Sequence, residues 1–352
     1  MGYTKTTFDH TADGTEVYRY TLTNEQGVSA SFTNFGAIWL TMSVPDKNGQ
    51  FDDVILGYDS VDSIQTQPGH PGEPVGRNAN RIGGAKFTLN GVTYELAKNS
   101  AEVNNLHSGP DYYRDRIWDA EVEETALGTT ITFGLHSPDG DQGYPGNADI
   151  TVSYTLTPDN CLKLDYHMVS DADTIANFTN HVYFNLGGYK SGSALDQKVW
   201  IDADYFTATD ANSIPTGELV AVKGTPMDFT SEKAIGAEIE ADFEQLKLTG
   251  GYDHNFILDK AVEGSIELMA VASCKESGIT MEAFTDLPCV QFYAGNFIAP
   301  VTGKNGVFYD KRNGFCLESQ YVPNAINQEG EEKPILEAGD TYDTTTVYKF
   351  IF

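Results

Sequence analysis

The chain has 352 residues, long enough for one large domain or two domains of ordinary size. Hydrophobic residues make up 40% of it, with 19 Tyr and 19 Phe, so the composition excludes a disordered protein. The 51 acidic and 22 basic residues give a formal net charge of −29. This charge argues against a nucleic-acid partner and, more weakly, against anionic substrates, because phosphate binding needs clustered Lys and Arg.

Neither a targeting segment nor a disulfide framework is expected. The first 20 residues contain no apolar run typical of a secretory signal, and no stretch approaches the roughly 20 apolar residues of a membrane span. The four cysteines are scattered and form no C-x-x-C pair: Cys161, Cys274, Cys289 and Cys316. We therefore expect buried free thiols in a reducing cytoplasm and no zinc site.

The predicted elements, taken along the chain, are almost all β-strands. Asn90-Gly91 separates two β-rich arms at 86–97, which is the strongest short-range hairpin signal. A strand over 129–135 follows, and then a second hairpin over 148–169 with period-2 alternation in both arms. Further strands are predicted over 264–273, 278–284, 289–298 and 344–352.

Helical periodicity is weak throughout the chain. The only helix candidates are 235–246 and 334–340, each a turn or two long. Strands resume directly after the Gly/Pro-rich loops at 67–76 and 136–147, and no linker or internal repeat is present. We therefore predict an all-β fold, a large antiparallel β-sandwich with few short helices, as a single domain over residues 1–352.

Polar residues gather inside six otherwise apolar segments. These are GRNANRIGG (76–84), NNLHSGP (104–110), NHVYFNLGG (180–188), GYDHNFIL (251–258), QFYAGNF (291–297) and GFCLESQ (314–320). The polar residues of these segments could also have purely structural roles. Arg77 or Arg81 could pair with a surface carboxylate, a strand histidine is usually a satisfied structural residue, and Asp253 could cap a turn. Gln291 and Glu318 could be solvent-facing positions of alternating strands.

The chemistry that these segments can perform is narrow. The chain lacks G-x-S-x-G, a P-loop, a dinucleotide fingerprint and the H-x-H or H-x-x-x-H spacing of a metal site. His, Glu, Asp, Asn, Gln and Arg beside aromatic rings are typical of a carbohydrate pocket. Within it a His and a Glu could form an acid–base pair. Their unperturbed pKa values of about 6.5 and about 4.3 leave Glu as base and His as proton donor near neutrality.

The chain resembles the aldose 1-epimerase, or galactose mutarotase, family over most of its length. The resemblance is carried by seven motifs in the family's order: GRNANRI, NNLHSG, SPDGDQGYPGN, NHVYFNLGG, GYDHNFIL, QFYAGNF and CLESQYVPNAIN. It implies a galactose mutarotase-like supersandwich with the sugar in a cleft on one sheet. It also implies a cytoplasmic isomerase of galactose and carbohydrate metabolism, which interconverts the α and β anomers of free hexoses such as galactose and glucose.

The resemblance also implies roles for individual residues. Glu318 would remove the proton of the anomeric hydroxyl, His181 would protonate the ring oxygen, and His107 would help to hold the ring oxygen and hydroxyls. Four further residues would bind the sugar, namely Asn80 and Arg81 at its hydroxyls, Asp253 at its far end and Gln291 near the anomeric carbon. No metal or organic cofactor is required, the partner is a small sugar, and the protein would be a monomer or homodimer.

Some positions depart from the usual pattern of the family. They are Ser108 and Ala85 at common glycines, Ala294 and Ser319 at common threonines, and Asn324 at a common aspartate. None of these departures removes a proposed catalytic group. They leave the sugar preference and the shape of the loop that carries His107 open.

Three alternatives remain open at the level of the sequence. A relative acting on a hexose phosphate would need additional basic residues at the cleft, where GRNANRI supplies two arginines. A glycoside hydrolase could use Asp253 and Glu318 as paired carboxylates. A non-enzymatic sugar-binding module could share the fold, since fold alone does not give function.

Overall fold

The structure is a computed structural model that describes residues 2–352. In this range there are 29 strands, two short α-helices and five single turns of 3-10 helix. The strands are β1 (Gly2–His10), β2 (Glu16–Thr23), β3 (Ser29–Thr33), β4 (Trp39–Pro45), β5 (Phe51–Asp53), β6 (Glu73–Val75), β7 (Arg81–Ile82), β8 (Lys86–Leu89), β9 (Val92–Glu95), β10 (Asn105–Leu106), β11 (Asp119–Thr125), β12 (Gly128–Ser137), β13 (Ala148–Leu156), β14 (Cys161–Ser170), β15 (Thr174–Ile175), β16 (Thr179–His181), β17 (Lys198–Ile201), β18 (Tyr205–Thr209), β19 (Pro215–Ala221), β20 (Lys233–Ala234), β21 (Asp253–Ile257), β22 (Glu267–Ser273), β23 (Thr280–Thr285), β24 (Cys289–Tyr293), β25 (Val301–Thr302), β26 (Phe308–Tyr309), β27 (Cys316–Gln320), β28 (Ile335–Leu336) and β29 (Thr341–Ile351). The helices are α1 (Val61–Thr66) and α2 (Glu244–Thr249).

Three large antiparallel sheets form the framework. The first has the order β1-β2-β3-β4-β5, and the second has nine strands in the order β11-β12-β13-β14-β29-β23-β22-β17-β20. The third has the order β19-β18-β21-β24-β27. Five two-stranded ladders complete the fold, namely β6–β16, β7–β10, β8–β9, β15–β28 and β25–β26. This sandwich-type arrangement confirms the predicted all-β fold class.

One apolar cluster joins the three sheets. It includes Trp39 and Met42 from the first sheet, Tyr348 from the second, and Phe292 and Leu317 from the third. Every residue of β24 and β27 is buried. Because side chains alternate between the faces of a strand, Phe292 and Leu317 meet the core while Gln291 and Glu318 project from the opposite face.

Both predicted hairpins are present. β8 and β9 pair Lys86 to Leu89 with Glu95 to Val92, which leaves Asn90-Gly91 as a two-residue turn. The φ angles of these two residues are +51° and +78°, as a type I′ turn requires. β13 and β14 form the second hairpin, with Ala148 opposite Ser170 and Leu156 opposite Leu162.

The helix predictions need correction. Helix α2 begins only at Glu244, so the prediction over 235–246 is wrong for its first nine residues. There the backbone N–H groups of Ile235 and Gly236 bond to Gln197 and Leu195, which holds the segment against a neighbouring loop. The prediction over 334–340 is wrong, because Ile335–Leu336 is strand β28. Helix α1 was not predicted, although Ser60 caps it by accepting a bond from the Ser63 N–H at 3.1 Å.

The burial of the cysteines agrees with the prediction at three of the four positions. Cys274, Cys289 and Cys316 are buried, Cys161 is half-buried, and none of the four forms a disulfide in the described part of the chain. Among residues 2–352, neither helix has the length and apolar character needed to cross a bilayer.

Candidate active site

A cavity of about 260 Å³ opens beside the third sheet. Its lining consists of Pro68, Gly69, His70, Asn80, Arg81, Leu106, His107, His181, Tyr183, Asp253, Gln291, Tyr293, Phe297 and Glu318. All seven residues to which the sequence analysis gave a role are in this set, although they come from six separate segments. The volume lies just below the roughly 300–1,000 Å³ of pockets for larger small molecules, which suits a single sugar ring.

Three neighbouring strands supply the floor of the cavity. On β24, Gln291 lies directly opposite Glu318 of β27, and Asn255 of β21 lies opposite Gln291 on its other side. Asp253 shares the face of Asn255, two residues earlier on the same strand. The pairing register therefore places Asn255, Gln291 and Glu318 in one row, and Asp253, opposite Tyr293, lies on the same face of the sheet with the apolar core behind it.

Short ladders supply the histidines. His181 ends β16 and lies opposite Glu73 of β6, while β10 and β7 pair Leu106 with Arg81. His107 directly follows β10 in a left-handed conformation with φ +54°. Its backbone N–H donates to the Asn80 carbonyl at 3.0 Å, which fixes the two loops together.

His181 and Glu318 form an acid–base pair in which both side chains line the cavity. The distance between His181 Nε2 and Glu318 Oε1 is 3.9 Å, and the two residues are 6% and 2% exposed. Burial raises the pKa of Glu318 well above its ordinary value, with the Asp253 carboxylate adding to the rise and the Arg81 cation opposing it. Burial lowers the pKa of His181 to about 3. The unperturbed values used in the sequence analysis therefore do not apply in this cavity.

The protonation of His107 is set by a backbone contact. The Asn80 N–H donates to His107 Nδ1 at 3.1 Å, so a neutral imidazole carries its proton on Nε2. Burial lowers the pKa of His107 well below the ordinary value, and the neighbouring His181 and His70 act in the same direction. His107 is thus held neutral with a hydrogen-bond donor on its free nitrogen.

Amide side chains lock the floor of the site. Gln291 Nε2 donates to Asp253 Oδ1 at 2.7 Å, while Gln320 Nε2 donates to Gln291 Oε1 at 3.2 Å and to Asn255 Oδ1 at 2.8 Å. Asn80 Nδ2 completes the chain by donating to Gln320 Oε1 at 3.2 Å. Burial raises the pKa of Asp253, although the Arg81 cation and the Gln291 bond favour its ionised form. The network holds each amide in one orientation.

Comparison with known proteins shows the family to which the chain is similar. A profile of the family described as aldose 1-epimerase matches residues 18–349. A galactose mutarotase of Bos taurus is 38% identical over 338 residues, which cover 95% of this chain and 94% of the relative. The chain belongs to the aldose 1-epimerase family. An aldose 1-epimerase of Escherichia coli is 36% identical over 341 residues, with 96% of each chain covered.

Solved structures of epimerases have the same fold. A galactose 1-epimerase from Lactobacillus acidophilus superposes with a TM-score of 0.87 at 26% identity, covering 99% of this chain and 98% of its own. An aldose epimerase homologue from C. elegans superposes with a TM-score of 0.83 at 28% identity, covering 94% and 98%. The resemblance read from seven motifs is confirmed over nearly the whole chain.

Three donor groups of this epimerase-family cavity are also close enough to hold a metal ion. Ligand atoms of His107, His181 and Glu318 all lie within 4.8 Å of one another. Ligation by the free Nε2 of His107 would move its proton to Nδ1 and break the bond from the Asn80 N–H. This tautomer disfavours a metal at His107, and a reaction without metal stays a prediction.

The sequence analysis missed several cavity residues. Tyr183 and Tyr293 lie within two of the family motifs, and their rings stand 5.0 Å and 6.2 Å from the His181 ring. Phe297 stacks on Tyr293 at 6.4 Å and is 64% exposed at the rim. His70 lies outside the quoted motifs, in TQPGHPG, where it reads as part of a Gly/Pro-rich loop.

Arg77 and His254 are among the polar residues of the family motifs that lie outside the cavity, and both have structural roles. Arg77 is fully buried and donates to the carbonyls of Pro145 and Gly146 at 2.8 Å and 2.9 Å. His254 is fully buried and accepts a bond from the Asp253 N–H at 3.2 Å. Burial lowers the pKa of His254 to about 3, so it remains a neutral core residue.

Proposed function

We propose that the protein is an aldose 1-epimerase that interconverts the α and β anomers of free hexoses such as galactose and glucose. The observation that carries the proposal is the 3.9 Å separation of His181 Nε2 and Glu318 Oε1 inside a buried polar cavity of this family. The anomeric hydroxyl and the ring oxygen are bonded to the same carbon. A base and an acid that serve these two oxygens must therefore lie within a few ångströms of each other.

The proposed reaction is a balanced exchange of two protons. Glu318 takes the proton of the anomeric hydroxyl while His181 gives a proton to the ring oxygen, and the bond between the anomeric carbon and the ring oxygen breaks. Rotation about the C1–C2 bond of the open-chain aldehyde presents its other face. Ring closure reverses both transfers, so each group returns to its starting state. Acid–base assistance of this kind typically contributes about 10²–10⁴-fold to a rate.

The two pKa shifts support this assignment. A carboxylate whose pKa is raised by burial is a stronger base than a solvated one, and an imidazolium whose pKa is lowered is a stronger acid. Both shifts raise the free energy of the ion pair relative to the state with the proton on Glu318. In the free enzyme the shared proton therefore rests on Glu318, and the reacting ion pair forms when that proton moves to His181.

The remaining residues are proposed to hold the sugar. His107 would donate from Nε2 to the ring oxygen or a hydroxyl, and the guanidinium of Arg81 and the amide of Asn80 would bond hydroxyls. Asp253, held by Gln291 at 2.7 Å, would accept bonds from hydroxyls at the far end of the sugar. The aromatic rings on the wall offer apolar faces to the sugar ring.

A free hexose suits the cavity better than a phosphorylated one. Among the described residues that line it, Arg81 is the one Lys or Arg. A sugar phosphate would bring about two negative charges into a protein of net charge −29. We propose further that the protein works in the cytoplasm, as four cysteines without a disulfide suggest, and that residues 1–352 act as one domain.

Polarimetry of freshly dissolved α-D-galactose and α-D-glucose tests the proposal. We expect catalytic amounts of protein to speed the approach to an unchanged final rotation. The ratio of the two rates gives the sugar preference. No acceleration on either sugar, with binding retained, would instead identify a sugar-binding module. Acceleration confined to hexose phosphates would replace the free-sugar assignment.

A further inference from the structure

His70 is a third histidine of the cavity wall, and it is held rigidly. Its ring centroid lies 5.4 Å from that of His107 and 5.8 Å from that of His181. The following turn is tied to the fold because the Gly72 N–H donates to the His181 carbonyl at 2.9 Å. Gly72 has a φ of +77°, and a Cβ there would meet the Trp39 carbonyl oxygen at 2.1 Å. This rigid turn fixes the position of the His70 ring.

A buried carboxylate orients the ring. His70 Nδ1 lies 2.7 Å from Glu73 Oε2, and the Glu73 side chain is 2% exposed. Arg114 Nη1 lies 3.3 Å from the same nitrogen and 3.8 Å from the same carboxylate. Because a carboxylate can only accept and a guanidinium can only donate, the shorter contact places the His70 proton on Nδ1. The Nε2 atom of neutral His70 is then a free acceptor.

The two wall histidines thus have opposite hydrogen-bonding character. His107 accepts at Nδ1 and offers a donor at Nε2, whereas His70 donates at Nδ1 and offers an acceptor at Nε2. We propose that His70, oriented by Glu73, binds the sugar by accepting a hydrogen bond from one non-anomeric hydroxyl and thereby contributes to the choice of sugar. The anomeric and ring oxygens are already assigned to Glu318 and His181. This inference rests on the proposed function.

Two substitutions separate the two hydrogen bonds of His70. In His70→Asn the side-chain amide nitrogen replaces Nδ1 and keeps the bond to Glu73, but the acceptor at Nε2 is lost. In His70→Gln the amide group reaches the Nε2 position and keeps an acceptor there, but the bond to Glu73 is lost. The surface pair His136 and Asp149, with Nδ1 to Oδ1 at 2.8 Å, offers His136→Asn as a matched control outside the cavity.

The experiment measures kcat/KM by polarimetry on galactose and on its 2-, 3-, 4- and 6-deoxy derivatives. We expect His70→Asn to lower kcat/KM on galactose by roughly tenfold, the loss of one good hydrogen bond. On one deoxy sugar, the one that lacks the contacted hydroxyl, the wild type and His70→Asn should be equal. His70→Gln should retain most of the activity and the same pattern among the sugars. His136→Asn should match the wild type throughout.

Each outcome decides for or against the inference. A loss of the same size on every sugar, or no loss on any, would overturn the hydroxyl contact while wild-type turnover of galactose leaves the proposed function intact. Thermal unfolding of both variants shows whether either is misfolded. If His70→Asn does not fold, His70→Ala takes its place, because it also removes the acceptor at Nε2 and should show the same dependence on a single hydroxyl.

Discussion

At the scale of single residues, burial decides the proton chemistry of the cavity. His181 and Glu318 are both almost entirely enclosed, and burial moves their pKa values toward the uncharged forms. A surface pair of the same residues would keep its ordinary pKa values and would be screened by solvent. The enclosure therefore supplies both the stronger base and the stronger acid of the proposed reaction.

Replacing Glu318 tests the base directly. We expect Glu318→Gln to remain folded and to bind galactose in calorimetry, but to lose about 10²–10⁴-fold in kcat, because an amide cannot accept the anomeric proton. The exposed Glu121→Gln on β11 is the matched control and should turn over like the wild type. Wild-type turnover by Glu318→Gln would remove the base assignment.

The pH dependence of kcat/KM tests how many protons His181 and Glu318 share in the active enzyme. The active pair carries one proton, so a second proton removes the base and loss of the only proton removes the acid. Because the pKa of His181 is lowered to about 3, the second proton binds only in strongly acidic solution. Because the pKa of Glu318 is raised, the only proton leaves at a pH above the ordinary carboxyl value.

We therefore expect kcat/KM for galactose, measured between about pH 4 and pH 8 and corrected for buffer catalysis, to show no acid limb near the ordinary imidazole value of about 6.5. Activity that halves as the pH falls through that value would contradict a His181 whose pKa is lowered by burial. The same profile for Glu121→Gln should coincide with that of the wild type.

At the scale of elements, strands that are buried on both faces position the site. β24 and β27 are buried on both faces, and each uses one face for the core and the other for the cavity. Phe292 and Leu317 pack in the core, while their neighbours Gln291 and Glu318 face the cavity. A polar residue beside an apolar one in these strands therefore marks a second buried surface and not a solvent-exposed face.

The β8–β9 hairpin offers a test of local backbone energetics. Gly91 has a φ of +78°, and a Cβ there would meet no atom within 4 Å, so Gly91→Ala adds only left-handed backbone strain. We expect a loss of about 1–2 kcal/mol in the free energy of unfolding. Gly134 on β12 also has open space at its Cβ but no positive φ. Gly134→Ala should be neutral or slightly stabilising in the same urea titration, and equal effects of the two substitutions would contradict the strain argument.

At the scale of the whole molecule, the charge of −29 acts on stability and on choice of ligand together. Self-repulsion among like charges opposes the compact state, and the same field disfavours anionic ligands. A neutral hexose escapes this penalty, which agrees with a cavity lined by one cationic side chain in the described structure.

Salt should therefore stabilise the protein. The screening length falls from about 30 Å at 0.01 M to about 3 Å at 1 M, so added NaCl weakens the repulsion. We expect the midpoint of thermal unfolding to rise between about 0.01 M and 0.5 M NaCl, with KCl giving the same shift as a control for specific sodium binding. A midpoint that falls with salt would show that attractive pairs outweigh the net repulsion.

The sequence by itself determined the all-β fold class, two hairpins, several of the longer strands and the family. Strand alternation and the Asn90-Gly91 turn depend on neighbouring residues only, and the seven motifs could be recognised without coordinates. Tertiary structure decided what depends on contacts between distant segments. Residues 235–243 do not form a helix, and backbone hydrogen bonds tie the start of this segment to Leu195 and Gln197. Tertiary structure also placed His70 beside His107 and His181. Burial and hydrogen-bond partners set the charge and tautomer of each site residue, and both arise only when remote parts of the chain pack together.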